Sequence, residues 1–341
     1  MMATSSFPAE EKYLLSYGEA IRSGFDYLLE RYSEVFIIGQ GLWSPWYVGD
    51  SMTDLDKKYG VTRIIDTPVS EAACTGAAVG ASLTGMRPIV VHPRMDFMLY
   101  AIDPIVNQAA KWSHMFGGQA SCPVTIRSII NRGGEQGAQH SQALHAWFAH
   151  VPGLRVVMPS TVADARDLLI ASVLSDDPVM YIDDRWLYDQ QDILPPPCEL
   201  DLRDVKPQLL RSGSDLTVVA SGYSTLLGSQ MADLLSSEDI NCDVIDIRVL
   251  NPLDVSLVVK SLSVSRKLLI VDSGWKSSGF SAEILASTLE SISPSLLSHA
   301  PLRVALPDSP APTSSYLESN YYPTVASLIC RVKDHFFDSC F

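Results

Sequence analysis

Positive charge is scarce in this sequence. Its 341 residues carry 25 Lys and Arg against 39 Asp and Glu, for a formal net charge of -14. Such a surface repels phosphate backbones and anionic headgroups, which excludes nucleic acid and membrane surfaces as partners. Paired cysteines are also lacking. Cys74, Cys122, Cys198, Cys242, Cys330 and Cys340 form no CxxC spacing and no dense framework, so reduced thiols and no structural zinc are expected. No apolar run approaches the roughly eighteen residues of a membrane span. Met1 to Lys12 has neither an apolar secretion core nor an Arg-rich amphipathic character, so a cytoplasmic protein is expected, or one of the mitochondrial matrix if a transit peptide has been removed. Several chemical motifs are absent as well. Gly39-Gln40-Gly41-Leu42-Trp43-Ser44 has Ser44 where a dinucleotide fingerprint needs its third glycine, and Pro45 and Trp46 interrupt the helix that should follow. There is no P-loop and no HExxH, and Gly222-Tyr223-Ser224 and Gly279-Phe280-Ser281 both lack the closing glycine of a nucleophile elbow. His92, His114, His145, His150, His299 and His335 show no ligand-like spacing, so they read as surface or hydrogen-bonded histidines and no metal site is expected.

What is present describes a large globular chain. Hydrophobic residues make up 47% and charged ones 19%, and the length predicts two domains. After a helix around Tyr17 to Tyr32, short apolar runs recur at Glu34 to Gly39, Arg63 to Ile65, Pro88 to Val91, Pro123 to Ile130, Leu154 to Met158 and Pro178 to Ile182. Helical periodicity fills the gaps, most clearly at Asp96 to Trp112 and at Thr161 to Leu174 with Ser160 as its cap. Strand, helix, strand in sequence predicts crossover connections and a mostly parallel sheet covered on both faces. From Asp189 to Gln208 the pattern stops. The three prolines Pro195 to Pro197 lie among scattered charges there, which predicts an exposed linker. A smaller α/β unit follows, with strands at Leu216 to Ala220, Cys242 to Arg248 and Lys267 to Val271, and helices at about Thr225 to Ser236 and Ser281 to Leu289. The expected fold is α/β with two doubly wound domains, residues 12–188 and 209–341, joined by residues 189–208.

The richest local signal is Asp66-Thr67-Pro68-Val69-Ser70-Glu71, answered about seventy positions later by Gly137-Ala138-Gln139-His140-Ser141-Gln142. The turn places Glu71 at the start of a helix, Ala72 to Met86, in which Gly76 and Gly80 stand one turn apart. Such spacing suits the close approach of another backbone. Glu71 taken alone has two readings of equal weight: a cofactor carboxylate, or a charge that complements the positive end of its helix.

Read in order, a longer set of segments resembles the beta subunit of the decarboxylating first component of 2-oxo acid dehydrogenase complexes, within the transketolase superfamily. The set begins with Arg63 to Glu71, Gly85-Met86-Arg87-Pro88-Ile89, Ala101-Ile102-Asp103 and Asn107 to Lys111. It continues through Arg127, Gly133-Gly134, Gln139 to Gln142, His150 to Leu154 and Val157 to Ser160. In the second unit Arg248, Asn251 to Asp254, Gly274-Trp275, Ala282 to Ile284 and Pro307 to Pro310 extend it, so it spans nearly everything after the first fifteen residues.

The resemblance implies a pyrimidine-binding transketolase-like domain followed by a transketolase C-terminal-like domain, and a thiamine diphosphate-dependent enzyme. By similarity Glu71 is the carboxylate that hydrogen-bonds the pyrimidine nitrogen, Phe97 stacks on that ring, and His140 faces the substrate end of the cofactor. Without it, Phe97 reads as a core residue of its helix and His140 as a loop histidine. The superfamily's Gly-Asp-Gly segment with a later asparagine, which holds magnesium and diphosphate, is missing; Gly49-Asp50-Ser51 is the nearest approach. The resemblance therefore implies an alpha-type partner bringing magnesium and the diphosphate side, an alpha2beta2 assembly, and a lipoyl acyltransferase as a candidate further partner. Three departures stand out: Gln40-Gly41 where the family usually has an acidic residue or pair, the charged Pro93-Arg94-Met95-Asp96 before Phe97, and Asp183 to Tyr188 in place of a Glu-containing version. Arg94 and Arg185 read as surface or ion-paired residues, or as cations able to hold an anion near a carbonyl substrate. Two further readings stay open beside acyl transfer to lipoyl: a non-oxidative ketol or acyl transferase using an aldehyde or sugar acceptor, and a non-catalytic assembly subunit.

Overall fold

The structure is a computed structural model and describes residues 13–337. Met1 to Lys12, Cys340 and the outer ends of the two expected domains lie outside the described residues. The strands are β1 (Tyr13–Ser16), β2 (Val35–Gln40), β3 (Tyr47–Asp50), β4 (Ile64–Thr67), β5 (Arg87–His92), β6 (Thr125–Ile130), β7 (Arg155–Val157), β8 (Val179–Asp184) and β9 (Gln191–Leu194). They continue with β10 (Gln208–Arg211), β11 (Leu216–Ala220), β12 (Cys242–Asp246), β13 (Val249–Asn251), β14 (Leu268–Trp275) and β15 (Leu302–Leu306).

The first sheet has seven strands in the order β13-β7-β8-β6-β5-β2-β4. All its pairings are parallel except β13 on β7. Thus a strand from the second half of the chain closes one edge of the first sheet. The second sheet runs β10-β12-β11-β14-β15 and is parallel apart from β10. Strands β6 and β8 are buried at every position, as parallel strands covered on both faces must be. One face packs against the helices Tyr17–Arg31 and Val162–Leu174, with Phe25, Leu28, Leu168 and Leu169 in a shared core. The other packs against Glu71–Ser82 and against side chains of the second unit, including Ile245, Ile247 and Ile270. The two halves of the chain therefore share a hydrophobic core.

The two-sheet α/β architecture is the one expected, but several local expectations are corrected. Asp96 to Trp112 is not one α-helix. It breaks into α-helix Met95–Met98, a 3-10 turn Leu99–Ala101, a π-helical stretch Pro104–Ala109 and α-helix Ala110–Met115. Pro104 has no N–H and its ring collides with the preceding turn, so a regular α-helix cannot pass through it. Ser160 does not cap the helix after it; Thr161 does, its Oγ1 accepting from the Asp164 N–H at 3.1 Å. The Ser160 hydroxyl instead donates to Asp246 in the second unit. The segment read as an exposed linker includes β9, which pairs antiparallel with β1, and it buries Leu194 and Leu202. The helix expected over Ala72 to Met86 spans Glu71–Ser82. Within it, nothing else among the described residues comes within 4 Å of where a Cβ on Gly76 or Gly80 would stand, so the close approach their spacing suggested is not made among those residues. Among the described residues five cysteines are free thiols, and no helix is long and apolar enough to cross a membrane.

Candidate active site

An open parallel sheet forms its crevice beyond the carboxyl ends of its strands, where strand order changes direction. That point lies around β2, with β4 on one side and β5 on the other. Glu71 follows β4 by a short turn, Arg94 and Phe97 follow β5, and His140 stands on the loop after β6. Topology alone thus brings residues some seventy positions apart to the carboxyl ends of the strands of one sheet.

Glu71 is the first residue of its helix, where a carboxylate meets the positive end of the helix dipole. It is half-buried and makes no hydrogen bond or ion pair with any described residue. The helix it opens is fixed from below. Thr75 Oγ1 lies 3.1 Å from His92 Nε2 at the end of β5, and burial pushes the His92 imidazole down to about 4, so the contact is between neutral groups. Beside β4, Asp66 accepts from the N–H groups of Gly41 at 2.7 Å and Trp43 at 3.3 Å. Gln40, which stands where the resembled family carries acid, donates to the Tyr47 hydroxyl at 2.7 Å.

The Phe97 and His140 rings meet edge to face, with centroids 5.2 Å apart and planes at 80°. Both residues are only half-buried. The loop carrying His140 is tied at several points. Asp96 Oδ1 accepts from the Gln142 N–H at 3.0 Å. Arg94 Nη1 donates to Gln136 Oε1 and, at 3.3 Å, to the His140 carbonyl. From the second unit, Glu318 accepts from the Glu135 N–H and Glu135 accepts from the Ser315 N–H, each at 3.0 Å. Gly137 has φ +72, and a Cβ there would stand 2.6 Å from Thr313 Oγ1, so this tight passage requires glycine.

Behind the crevice lie two buried ion pairs and a buried histidine–carboxylate hydrogen bond. Arg127 binds both oxygens of Asp183 at 3.1 and 2.9 Å, and adds Ser51 Oγ and the Tyr188 hydroxyl. Arg132 pairs with Asp184 and lies 4.8 Å above the Trp186 ring. His145 Nε2 lies 2.9 Å from Asp272 Oδ1 across the two units. Burial by itself pushes the Asp272 carboxyl up, but His145 and the N–H groups of Gly274 and Ser281 outweigh it and hold the group at about 2.

Of the residues singled out from sequence, Phe97 and His140 are in direct contact, and Glu71 follows β4, separated from β5 by β2, without bonding to either. Arg94 joins them through the His140 carbonyl. Arg185 does not; it donates to the carbonyls of Trp46 and Tyr47 and lies over Tyr188. Sequence reasoning passed over Gln136, Glu135 and Glu318, and Glu318 is 183 positions from its partner, too far for any local pattern to reveal. Among the described residues no group of three or more His, Cys, Asp or Glu is placed to hold a metal ion.

Comparison with known proteins fits this geometry. Residues 14–190 match the family described as transketolase, pyrimidine binding domain, and residues 206–328 match transketolase, C-terminal domain. The pyruvate dehydrogenase E1 component subunit beta, mitochondrial, of Bos taurus is 35% identical over 320 residues, covering 92% of this chain and 89% of the relative. The pyruvate dehydrogenase E1 component subunit beta of Rhizobium meliloti is 33% identical over 324 residues, covering 95% of this chain and 70% of the relative. Among solved structures, a split-gene transketolase described as an inactive beta4 tetramer superposes with a TM-score of 0.76 at 19% identity, covering 94% of this chain and 98% of that one. Transketolase from Campylobacter jejuni gives 0.70 at 14% identity, covering 96% of this chain and 48% of that one. At these identities the two structures support the fold alone.

Proposed function

Because this chain belongs to the family of beta subunits of the thiamine diphosphate-dependent 2-oxo acid dehydrogenase first component, we propose that it supplies the aminopyrimidine half of an active site completed by an alpha-type chain. The observation that carries this reading is Glu71, a half-buried carboxylate with no partner among the described residues, beyond the carboxyl ends of the same sheet as the half-buried Phe97 and His140 rings. These residues fit the cofactor's ring: a carboxylate for a ring nitrogen, an aromatic side chain for its face, and an imidazole beside the aromatic side chain. Bound thiamine diphosphate supplies a carbon nucleophile, formed when a carboxylate on its pyrimidine promotes loss of the thiazolium proton.

Glu71 orients the pyrimidine and takes part in its proton exchange. Phe97 presents an apolar face to that ring, and offset or edge contacts of this kind are worth roughly 0.5–1.5 kcal/mol. His140, held at its carbonyl by Arg94, holds the substrate carboxylate or moves a proton during acyl transfer. Magnesium prefers hard oxygen ligands and phosphate, and the diphosphate and magnesium side falls to the alpha-type chain in an alpha2beta2 assembly. The exposed face of the Glu71–Ser82 helix, with Gly76 and Gly80 uncovered, is offered as part of the contact surface. The acyl group passes to a lipoyl domain.

The test is decarboxylation of a panel of 2-oxo acids by this chain assembled with its alpha-type partner, with and without a lipoyl domain. Lipoyl-dependent turnover is expected, together with no tight magnesium-dependent cofactor binding by this chain alone. Turnover requiring only an aldehyde acceptor would move the protein to the non-oxidative transferases.

A further inference from the structure

Arg94 is the side chain at the crevice whose chemistry the proposed reaction leaves unexplained. Its Nη1 is engaged by Gln136 Oε1 and the His140 carbonyl. No carboxylate is hydrogen-bonded to it: Asp96, two residues on, feels its charge but turns Oδ1 to the Gln142 N–H. The other guanidinium N–H groups meet no acceptor among the described residues, and none of them is sealed from solvent. A cation is thus held beside the Phe97–His140 pair, in a chain whose net charge is -14, with part of its donor fork open.

We infer that Arg94 selects a substrate carrying a second anionic group, a carboxylate or phosphate remote from the reacting carbonyl; this rests on the proposed function above. A guanidinium fork matches the paired oxygens of either group. Anchoring one nitrogen to the loop fixes the fork before the substrate arrives, so little rotamer freedom is lost on binding. Because Arg94 bonds the carbonyl of His140 itself, an anion bound there lies next to the residue expected at the substrate end. A neutral side chain could tie the loop through Gln136 equally well, and the charge, felt by Asp96 without a hydrogen bond, keeps donors free for an outside anion.

The experiment uses the assembled complex with thiamine diphosphate and two matched substrate pairs. 2-Oxoglutarate is compared with 2-oxovalerate as donor, and glyceraldehyde 3-phosphate with glyceraldehyde as acceptor. The wild-type complex is expected to favour the anionic member of one pair, and which pair it is tells carboxylate from phosphate. Arg94→Met should cut the ratio between the two members of that pair by about 10–100-fold, through KM of the anionic member. Arg94→Lys should keep part of it, and Gln136→Leu, which removes one anchor of the fork but no charge, should keep most of it. No preference in either pair, a preference that survives Arg94→Met, or an equal loss for both members or in Gln136→Leu would overturn the inference. Calorimetric binding of glutarate against valerate, and of glycerol 3-phosphate against glycerol, separates the two levels. If no 2-oxo acid is decarboxylated at all, the proposed function fails. Stronger binding of an anionic ligand, lost in Arg94→Met, would still support the anion site, and its absence would overturn it.

Discussion

The crevice and the layer behind it use similar residues in opposite ways. Arg127 and Asp183, Arg132 and Asp184, and His145 and Asp272 are buried and bonded to one another, whereas Glu71 has no partner among the described residues and Arg94 has donors to spare. Removing charge from water costs several kcal/mol per ion and is tolerated only when partners are in place. Bonding capacity left open at the surface of a crevice therefore points to something outside the chain, while the same residue types closed on each other point to architecture. The contrast also runs through histidine. His92 and His145 are buried with fixed partners, and His140 is half-buried beside Phe97.

Substitutions in the two layers should separate turnover from stability. The largest effect is expected for Glu71→Gln, which should lower turnover of the assembled complex by about 100- to 10,000-fold while chemical denaturation shows a stability change within about 0.5 kcal/mol. A large stability loss there would erase the distinction between the layers. Asp183→Ala should do the reverse, costing roughly 3–5 kcal/mol by leaving Arg127 buried without its counter-charge, as read from urea unfolding. Asp246 sharpens the comparison, because it is a buried acid bonded only to neutral groups, the hydroxyls of Ser160 and Thr225 and the Arg248 N–H. Burial pushes its carboxyl up to about 7. The folded protein then keeps a proton that the unfolded chain releases near pH 4, so stability should fall as pH rises between about 4 and 7, by up to ~4 kcal/mol. Asp246→Asn should flatten that slope in unfolding curves taken across the range. The smallest effect belongs to Phe97→Leu, which should weaken thiamine diphosphate binding to the complex by roughly 0.5–1.5 kcal/mol, a few-fold in Kd.

Much of this was legible in the chain itself. The alternation of apolar runs and helical segments gave the parallel sheets, and the turn before Glu71 placed that carboxylate at a helix start. Regular structure failed to follow periodicity where one residue outweighed it: Pro104 broke a helix whose apolar pattern continued past it. The Pro-rich segment after β8 looked exposed because its own residues cannot show that β1, from the far end of the domain, pairs with β9. Gly76 and Gly80 signalled a close approach that is not made among the described residues.

The sequence by itself determined the two α/β units, because these rest on composition and local periodicity, and the resemblance of its ordered motifs singled out Glu71, Phe97 and His140 as the site residues proposed here. Only the tertiary structure decided which charges are committed and which are open. Arg132 finds Asp184 52 positions away, His145 finds Asp272 127 positions away, and Glu135 finds Glu318 183 positions away. Such pairings depend on which strand ends the fold brings side by side, and that is a property of strand order that no local stretch of sequence contains.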